Sequence, residues 1–266
     1  MKKTLFAIYL SYLRNFPNPL GKGFLSRLIR RLGFAIYEID GVRLELNPSA
    51  WIDRDLVSGK AHDAFVQQTI MDALSNGGVF VDIGANIGVF TLAASMMRDV
   101  RVFAFEPSPR ELARLYRNLA LNQVSNVVVF PFALGRTSTR MELSLGGDDN
   151  PGHNTFVAEV QERGPRQSAV CHCEPFDGLL KSDTLKQIRV VKIDVEGFEM
   201  EVLRGMSASI TVMERVTFVV EVTRSLLQCA GSSAEELYAF FDEHGFSPEI
   251  GLQEHDLWNE GFSRKP

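Results

Sequence analysis

The run Val81-Asp82-Ile83-Gly84-Ala85-Asn86-Ile87-Gly88 closes an apolar stretch with one carboxylate and two glycines. Gly84 lets a backbone approach a ligand closely, Gly88 lets the next helix pack tightly on a sheet, and Asp82 can balance a cationic group. A second apolar stretch closes in Phe103-Ala104-Phe105-Glu106-Pro107. The two oxygens of Glu106 match the two hydroxyl donors of a ribose, and Pro107 stops the strand so that this side chain faces a crevice. A third closes in Lys192-Ile193-Asp194-Val195-Glu196. Asp194 and Glu196 are candidates for taking a proton from a reacting hydroxyl. An ordinary carboxylate, with a pKa of about 4, is a feeble base, so burial or a like-charged neighbour has to raise it, and two acids this close can do so.

Other readings of these residues stand beside that one. Asp194 and Glu196 can equally cap a helix beginning near Phe198. Lys192 either pairs with one of the acids or reaches the surface with its stem covered. Glu221, inside the apolar run Val216 to Val222, either faces the pocket or joins an ion pair. His153 is a weaker candidate base, because a solvated loop histidine is the commoner case. Cys171-His172-Cys173 lies in a strand-like stretch that points His172 away from both thiols, so no metal site is assigned, and three cysteines make no disulfide framework.

The turn at 82–88 also discriminates between cofactors. A dinucleotide-binding turn reads G-x-G-x-x-G, whereas Asn86 replaces the middle glycine here and Asp82 precedes the first. NAD and S-adenosylmethionine both carry the ribose that Glu106 suits. S-adenosylmethionine has no pyrophosphate to cradle and has an amine for Asp82 to balance, so the turn favours it.

The elements that must position these residues alternate. Ala35 to Ile39 and Val42 to Leu46 read as a hairpin turned by Asp40-Gly41. Asp63 to Leu74 reads as an amphipathic helix. A βαβαβ unit follows: strand Val79 to Ile83, helix Gly88 to Met97, strand Arg101 to Phe105, helix Pro109 to Leu121 and strand Val127 to Phe132. A second half has strand Arg189 to Ile193, helix Glu199 to Met206, strand Val216 to Val222, helix Ser233 to His244 and a last strand over Phe246 to Ile250. The core strands are continuous apolar runs, as parallel strands buried on both faces require. The fold class expected is α/β, a doubly wound, mostly parallel sheet. Residues 1–60 form a basic helical segment and hairpin ahead of a main domain over 61–266. Within it, 139–174 reads as two strands flanking a polar loop, Gly146 to Asn154, that faces the substrate.

Composition excludes some classes. The net charge of −5 gives no general electrostatic reason to bind nucleic acid, and no apolar run is long enough to span a membrane. Every charged residue from Met1 to Gly33 is basic (Lys2, Lys3, Arg14, Lys22, Arg27, Arg30, Arg31). That segment is either a helical cap on the domain or a peripheral anchor on an anionic membrane. No small-residue cleavage site follows it, so the expected location is the cytoplasm. The oligomeric state is not legible.

VFVDIGANIGVFTL at 79–92, VFAFEPSP at 102–109, NVVVFPFALG at 126–135 and, above all, VVKIDVEGFEMEVLRG at 190–205 resemble the FkbM-type methyltransferases. That resemblance implies a class I methyltransferase sheet with one reversed strand near the C-terminus, S-adenosylmethionine as cofactor, and O-methylation of a small-molecule or glycan hydroxyl such as that of a carbohydrate, glycolipid or secondary metabolite. It makes Asp82, Gly84, Asn86, Gly88 and Glu106 cofactor contacts. An NAD-dependent oxidoreductase and a non-catalytic scaffold on the same fold are the competing expectations.

Overall fold

A computed structural model describes residues 33–48, 50–58, 63–147, 154–157 and 167–265; the basic segment before Gly33, and His153 with its neighbours in the polar loop, lie outside the described residues. Asp40 and Gly41, with φ of 50° and 80°, turn β1 (Ala35–Ile39) into β2 (Val42–Leu46), as a tight hairpin requires. Two helices follow, α1 (Trp51–Val57) and α2 (Ala64–Ala73). The first half of the main sheet is β3 (Gly78–Ile83), α3 (Val89–Ser95), β4 (Val100–Phe105), α4 (Pro109–Asn122) and β5 (Val127–Phe130). A side sheet intervenes, built from β6 (Ala133–Leu134), β7 (Thr139–Ser144) and β8 (Ser168–Glu174). The second half is α5 (Ser182–Leu185), β9 (Ile188–Ile193), α6 (Glu199–Arg204), α7 (Ser207–Val212) and β10 (Thr217–Thr223). It ends with α8 (Arg224–Cys229), α9 (Ala234–Glu243), β11 (Phe246–Pro248) and β12 (Leu257–Arg264).

Among the described residues the main sheet has seven strands in the order β11-β12-β10-β9-β3-β4-β5. All pair in parallel except β12, which runs antiparallel to both β10 and β11. This is the doubly wound, mostly parallel sheet with one reversed strand near the C-terminus. Both faces are apolar, which is why the core strands read as unbroken hydrophobic runs. Val81, Ile83, Phe103, Phe105, Val191 and Ile193 pack with residues of α6 and α9. Phe80, Val102, Val190 and Val219 pack on the opposite side with residues of α2 and α3. Among the described residues no helix is long and apolar enough to cross a membrane.

Three elements differ from the sequence expectation. The run from Val127 to Phe132 is cut at Pro131, where a residue without an N–H lets the chain leave the main sheet, so Ala133 and Leu134 pair with β8 instead. The helix expected to Met206 stops at Arg204, and α7 restarts after Gly205, where an added Cβ would lie 1.9 Å from the carbonyl oxygen of Gly135. The last strand is β12 rather than β11. Its polar Asn259, Glu260 and Gly261 hid it from a search for apolar alternation. Glu260 is fully buried because the N–H groups of Glu249, Ile250, Gly251 and Gly261 and the hydroxyl of Tyr238 all donate to its carboxylate.

The hairpin is held to the sheet's helical layer by amides that imitate a strand. Asn118 and Asn122, one turn apart on α4, face the free edge of β2. Asn118 accepts from the Glu45 N–H at 2.8 Å and donates to the Ile87 carbonyl at 2.9 Å. Asn122 accepts from the Arg43 N–H at 2.8 Å and donates to its carbonyl at 2.6 Å. Asn118 is fully buried, so Asn118→Ala strands two backbone groups. Urea unfolding should show a loss of about 2–3 kcal/mol; a loss under about 0.5 kcal/mol would mean that the amide does not anchor the hairpin.

Candidate active site

The strand order reverses between β3 and β9. Open α/β sheets bind ligands in the crevice at such a point, beyond the carboxyl ends of the strands. A cavity of about 580 Å³ lies there, within the range of small-molecule sites. The turn after β3 forms one wall, with Gly84, Asn86 and Gly88 at φ of 78°, 52° and 89°. The reason for Gly84 is a neighbour rather than a ligand: its Cβ would meet the Asp194 carbonyl oxygen at 1.9 Å. The neighbour at Gly88 is likewise not the sheet but Leu115 of α4, 2.4 Å from an added Cβ. Asn86 tolerates its left-handed backbone as few other side chains do, and its N–H donates to Glu106 at 2.8 Å.

Glu106, at the end of β4, lines the cavity. One oxygen accepts from Asn86 and the other from the Ser108 N–H at 2.8 Å, which fixes the carboxylate while leaving lone pairs on both oxygens. Burial pushes its pKa up to about 7, against the lowering effect of those two N–H donors.

Asp82 does not line the cavity. It is fully buried beneath it, where Thr91 donates to Oδ2 at 2.6 Å and the Lys192 ammonium lies 3.7 Å from Oδ1. Burial raises its pKa, with Lys192 and Thr91 opposing. Gly84, Asn86 and Glu106 face the cavity, so the structure brings these three expected residues together and sets Asp82 and Gly88 behind them.

The opposite wall carries Lys192, Asp194, Glu196 and Glu221. Lys192 is buried and does not reach the surface; its ammonium lies 3.1 Å from Asp194 and donates to the Gly84 carbonyl at 3.2 Å. Burial would lower its pKa, but Asp194 and Asp82 outweigh that and hold it raised. Asp194, Glu196 and Glu221 bring carboxylate oxygens within 4.8 Å of one another, close enough for each charge to raise the proton affinity of its neighbours. No spacing in the sequence shows this group of three, because Glu221 comes from β10. Glu196 sits at φ 54° and its pKa is pushed up to about 8, first by burial and then by Asp194 and Glu199. Glu221 is raised by burial and by Asp194 and Glu196.

Neither Asp194 nor Glu196 caps α6, which has no side-chain cap; the acid that binds free N–H groups here is Glu199, which sequence reasoning passed over. Its Oε1 accepts from Val195 and Gly197 at 3.2 and 3.1 Å, pinning the loop that presents Glu196. The clue was an acid inside the first turn of the next helix. The polar loop borders the same cavity at its described ends. Leu143, Asn154 and Phe156 line it, Thr155 donates to the Glu196 carbonyl at 2.8 Å, and Asn154 donates to Glu111 at 2.9 Å.

A carboxylate with free lone pairs, a glycine turn and a set of acids with raised proton affinity thus surround one crevice of a doubly wound sheet, the usual place for a ligand in that fold. The methyltransferase FkbM domain matches residues 82–248, more than half of the chain, and the protein belongs to that family of S-adenosylmethionine-dependent methyltransferases. Methyltransferase 1 of Beauveria bassiana is 29% identical over 192 residues, 65% of this chain and 72% of that one. The hexuronic acid methyltransferase AglP of Haloferax volcanii is 30% identical over 185 residues, 70% of each chain. Among solved structures, TYW2 of M. jannaschii in complex with AdoMet aligns at 14% identity and TM-score 0.44, covering 87% of both chains. The residues fit that cofactor: Glu106 retains lone pairs for ribose hydroxyls, and the cavity has room for a nucleoside with an amino-acid tail.

With Glu106 near 7, S-adenosylhomocysteine should bind more tightly as the pH rises through about 7, because only the ionised carboxylate accepts from both hydroxyls. Calorimetry across that range checks this. Glu106→Gln should weaken binding and flatten its pH dependence; an unchanged profile would remove Glu106 from the ribose.

Proposed function

We propose that this methyltransferase acts on the hydroxyl oxygen of a carbohydrate, glycolipid or secondary metabolite, with Glu196 taking the acceptor proton. The observation that carries this reading is Glu196 itself: a cavity-lining carboxylate whose proton affinity is shifted to about 8 by burial and by Asp194. Such a group is a far better base for an alcohol than an ordinary carboxylate. Glu199 holds the loop that presents it, and Glu221 stands close by as a second acid. S-adenosylmethionine, when bound, supplies an electrophilic methyl carbon. The work left to the protein is alignment of the acceptor oxygen and removal of its proton.

In this reading Asp82 acts from beneath the cofactor turn, Gly84, Asn86 and Gly88 shape that turn, and Glu106 holds the ribose. Residues 61–266 are the catalytic domain, and 139–174 contributes an acceptor-facing wall through Leu143, Asn154 and Phe156. A carbohydrate acceptor is supported by the name of the AglP relative, a hexuronic acid methyltransferase. A non-catalytic scaffold is the second reading, favoured by nothing specific in the cavity. The basic N-terminal segment as a membrane address is separable: deleting residues 1–33 should abolish vesicle sedimentation and spare methyl transfer.

Calorimetry with S-adenosylhomocysteine, with NADH as comparison, comes first, followed by transfer of labelled methyl to a panel of neutral glycosides, hexuronic acids and polyketide alcohols. With an acceptor in hand, the rate should rise with pH through about 8 as Glu196 loses its proton. Glu196→Gln should cost roughly 10²-fold or more in kcat while S-adenosylhomocysteine still binds. Undiminished transfer by that variant would sink the base assignment. Cofactor binding without transfer to any acceptor would favour the scaffold.

A further inference from the structure

We propose that Lys192 is a positioning residue that locks the cofactor side of the cavity to its acidic side. The inference rests on the methyltransferase reading of the cavity. The Lys192 ammonium is surrounded by three oxygens: the Gly84 carbonyl at 3.2 Å, Asp194 Oδ2 at 3.1 Å and Asp82 Oδ1 at 3.7 Å. Of the three donors of an ammonium, the geometry directs them at the Gly84 carbonyl and Asp194, while Asp82 is held by charge at the longer distance. Two of the oxygens belong to β3 and its turn and the third follows β9, the strands on either side of the point where the sheet order reverses. The side chain is buried beside Phe90, whose ring centroid is 5.6 Å from Nζ.

No other cationic side chain lines the cavity among the described residues, whereas Glu106, Asp194, Glu196 and Glu221 all do. Asp82 lies under the same floor with no hydrogen-bond partner on Oδ1. Removing one partner of such a buried cluster leaves uncompensated charge, the costly case for a buried ion pair. Lys192 thus acts on the reaction through other groups. It keeps the Gly84 carbonyl turned inward, which sets the turn that presents Asn86 to Glu106. It also holds the Asp194 side chain beside Glu196.

The positive charge reaches Glu106 as well. Around that carboxylate stand the N–H groups of Asn86 and Ser108, the carboxylate of Glu111 on α4 and the ammonium of Lys192 on β9, the last favouring ionisation. The Cys171 thiol of β8 stands near it too, with its own pKa pushed up to about 11 by burial.

The test is calorimetric titration of the full chain with S-adenosylhomocysteine from pH 6 to 9, for wild type, Lys192→Met and Lys192→Arg, with thermal unfolding of each. Lys192→Met should bind at least about tenfold more weakly. The pH at which its binding is half-maximal should move upward, because Glu106 loses a favouring cation. Lys192→Arg should recover part of the affinity and return the midpoint. Should Lys192→Met fail to fold, Lys192→Gln, which keeps one donor for Gly84 and no charge, is read in the same way. Wild-type affinity in the neutral variants would overturn the proposal. So would weakening by the same factor at every pH in step with the melting temperature, the mark of a merely structural lysine. If wild type itself fails to bind S-adenosylhomocysteine, the cofactor reading fails and this inference falls with it.

Discussion

The carboxyl ends of β3 and β9 approach until backbone meets backbone, and everything in the cavity follows from that contact. A methyl group on Gly84 would lie 1.9 Å from the Asp194 carbonyl oxygen, and the Asp194 N–H donates to the Ile83 carbonyl at 3.1 Å. Any other residue at 84 would push apart the two strands at the reversal of the sheet. Because they stay together, the turn that leads into α3 and the loop that leads into α6 open in the same direction, and groups far apart in sequence face one another across a single crevice.

That closeness has an electrostatic consequence. Strand ends bearing Asp82, Glu106, Asp194 and Glu221 converge on a volume that excludes much of the solvent, where burial disfavours charge. Acids around that volume move toward neutrality: Glu106 and Glu199 rise to about 7, and Glu196 to about 8. Lys192 is the fixed positive charge among them. Asp82 and Asp194 are the two it touches, which leaves Glu196 as an acid displaced toward the range where a carboxylate can work as a base. The same burial that costs stability thus creates chemical usefulness, a common bargain at active sites.

The legible part of this protein was the part governed by local rules. Continuous apolar runs marked β3, β4, β9 and β10 because parallel strands covered on both faces need them, and Asp40-Gly41 marked the hairpin because few other pairs accept its backbone. The turn at 82–88 and Glu106 stood out for the same reason, as glycines and an acid where apolar runs end. What escaped were features decided by long-range contact. β12 is polar in sequence because Glu260 is satisfied by three N–H groups and a tyrosine hydroxyl from other segments, together with the N–H of its neighbour Gly261. Asp82 was expected to face the crevice together with Gly84 and Asn86, yet alternation along β3 turns its side chain toward Thr91 and Lys192. Glu199 was hidden behind the two acids before it, although its carboxylate is the one that secures the loop.

The boundary of the family resemblance also divides the cavity. The FkbM domain match covers residues 82–248, which includes the glycine turn, Glu106, Lys192 and the three clustered acids. Asp63, Asp256 and Leu257, which line the same cavity, fall outside it. Asp256 is not loosely placed. Its carboxylate accepts from both the N–H and the hydroxyl of Ser225, each at 2.8 Å, and its carbonyl accepts from Arg224, so the approach to β12 is fixed against α8. Leu257, at the start of β12, lines the cavity while remaining 54% exposed, so apolar surface reaches from the cavity to solvent. A wall that is held this firmly but lies beyond the shared motifs can vary between relatives without disturbing the turn or the acids.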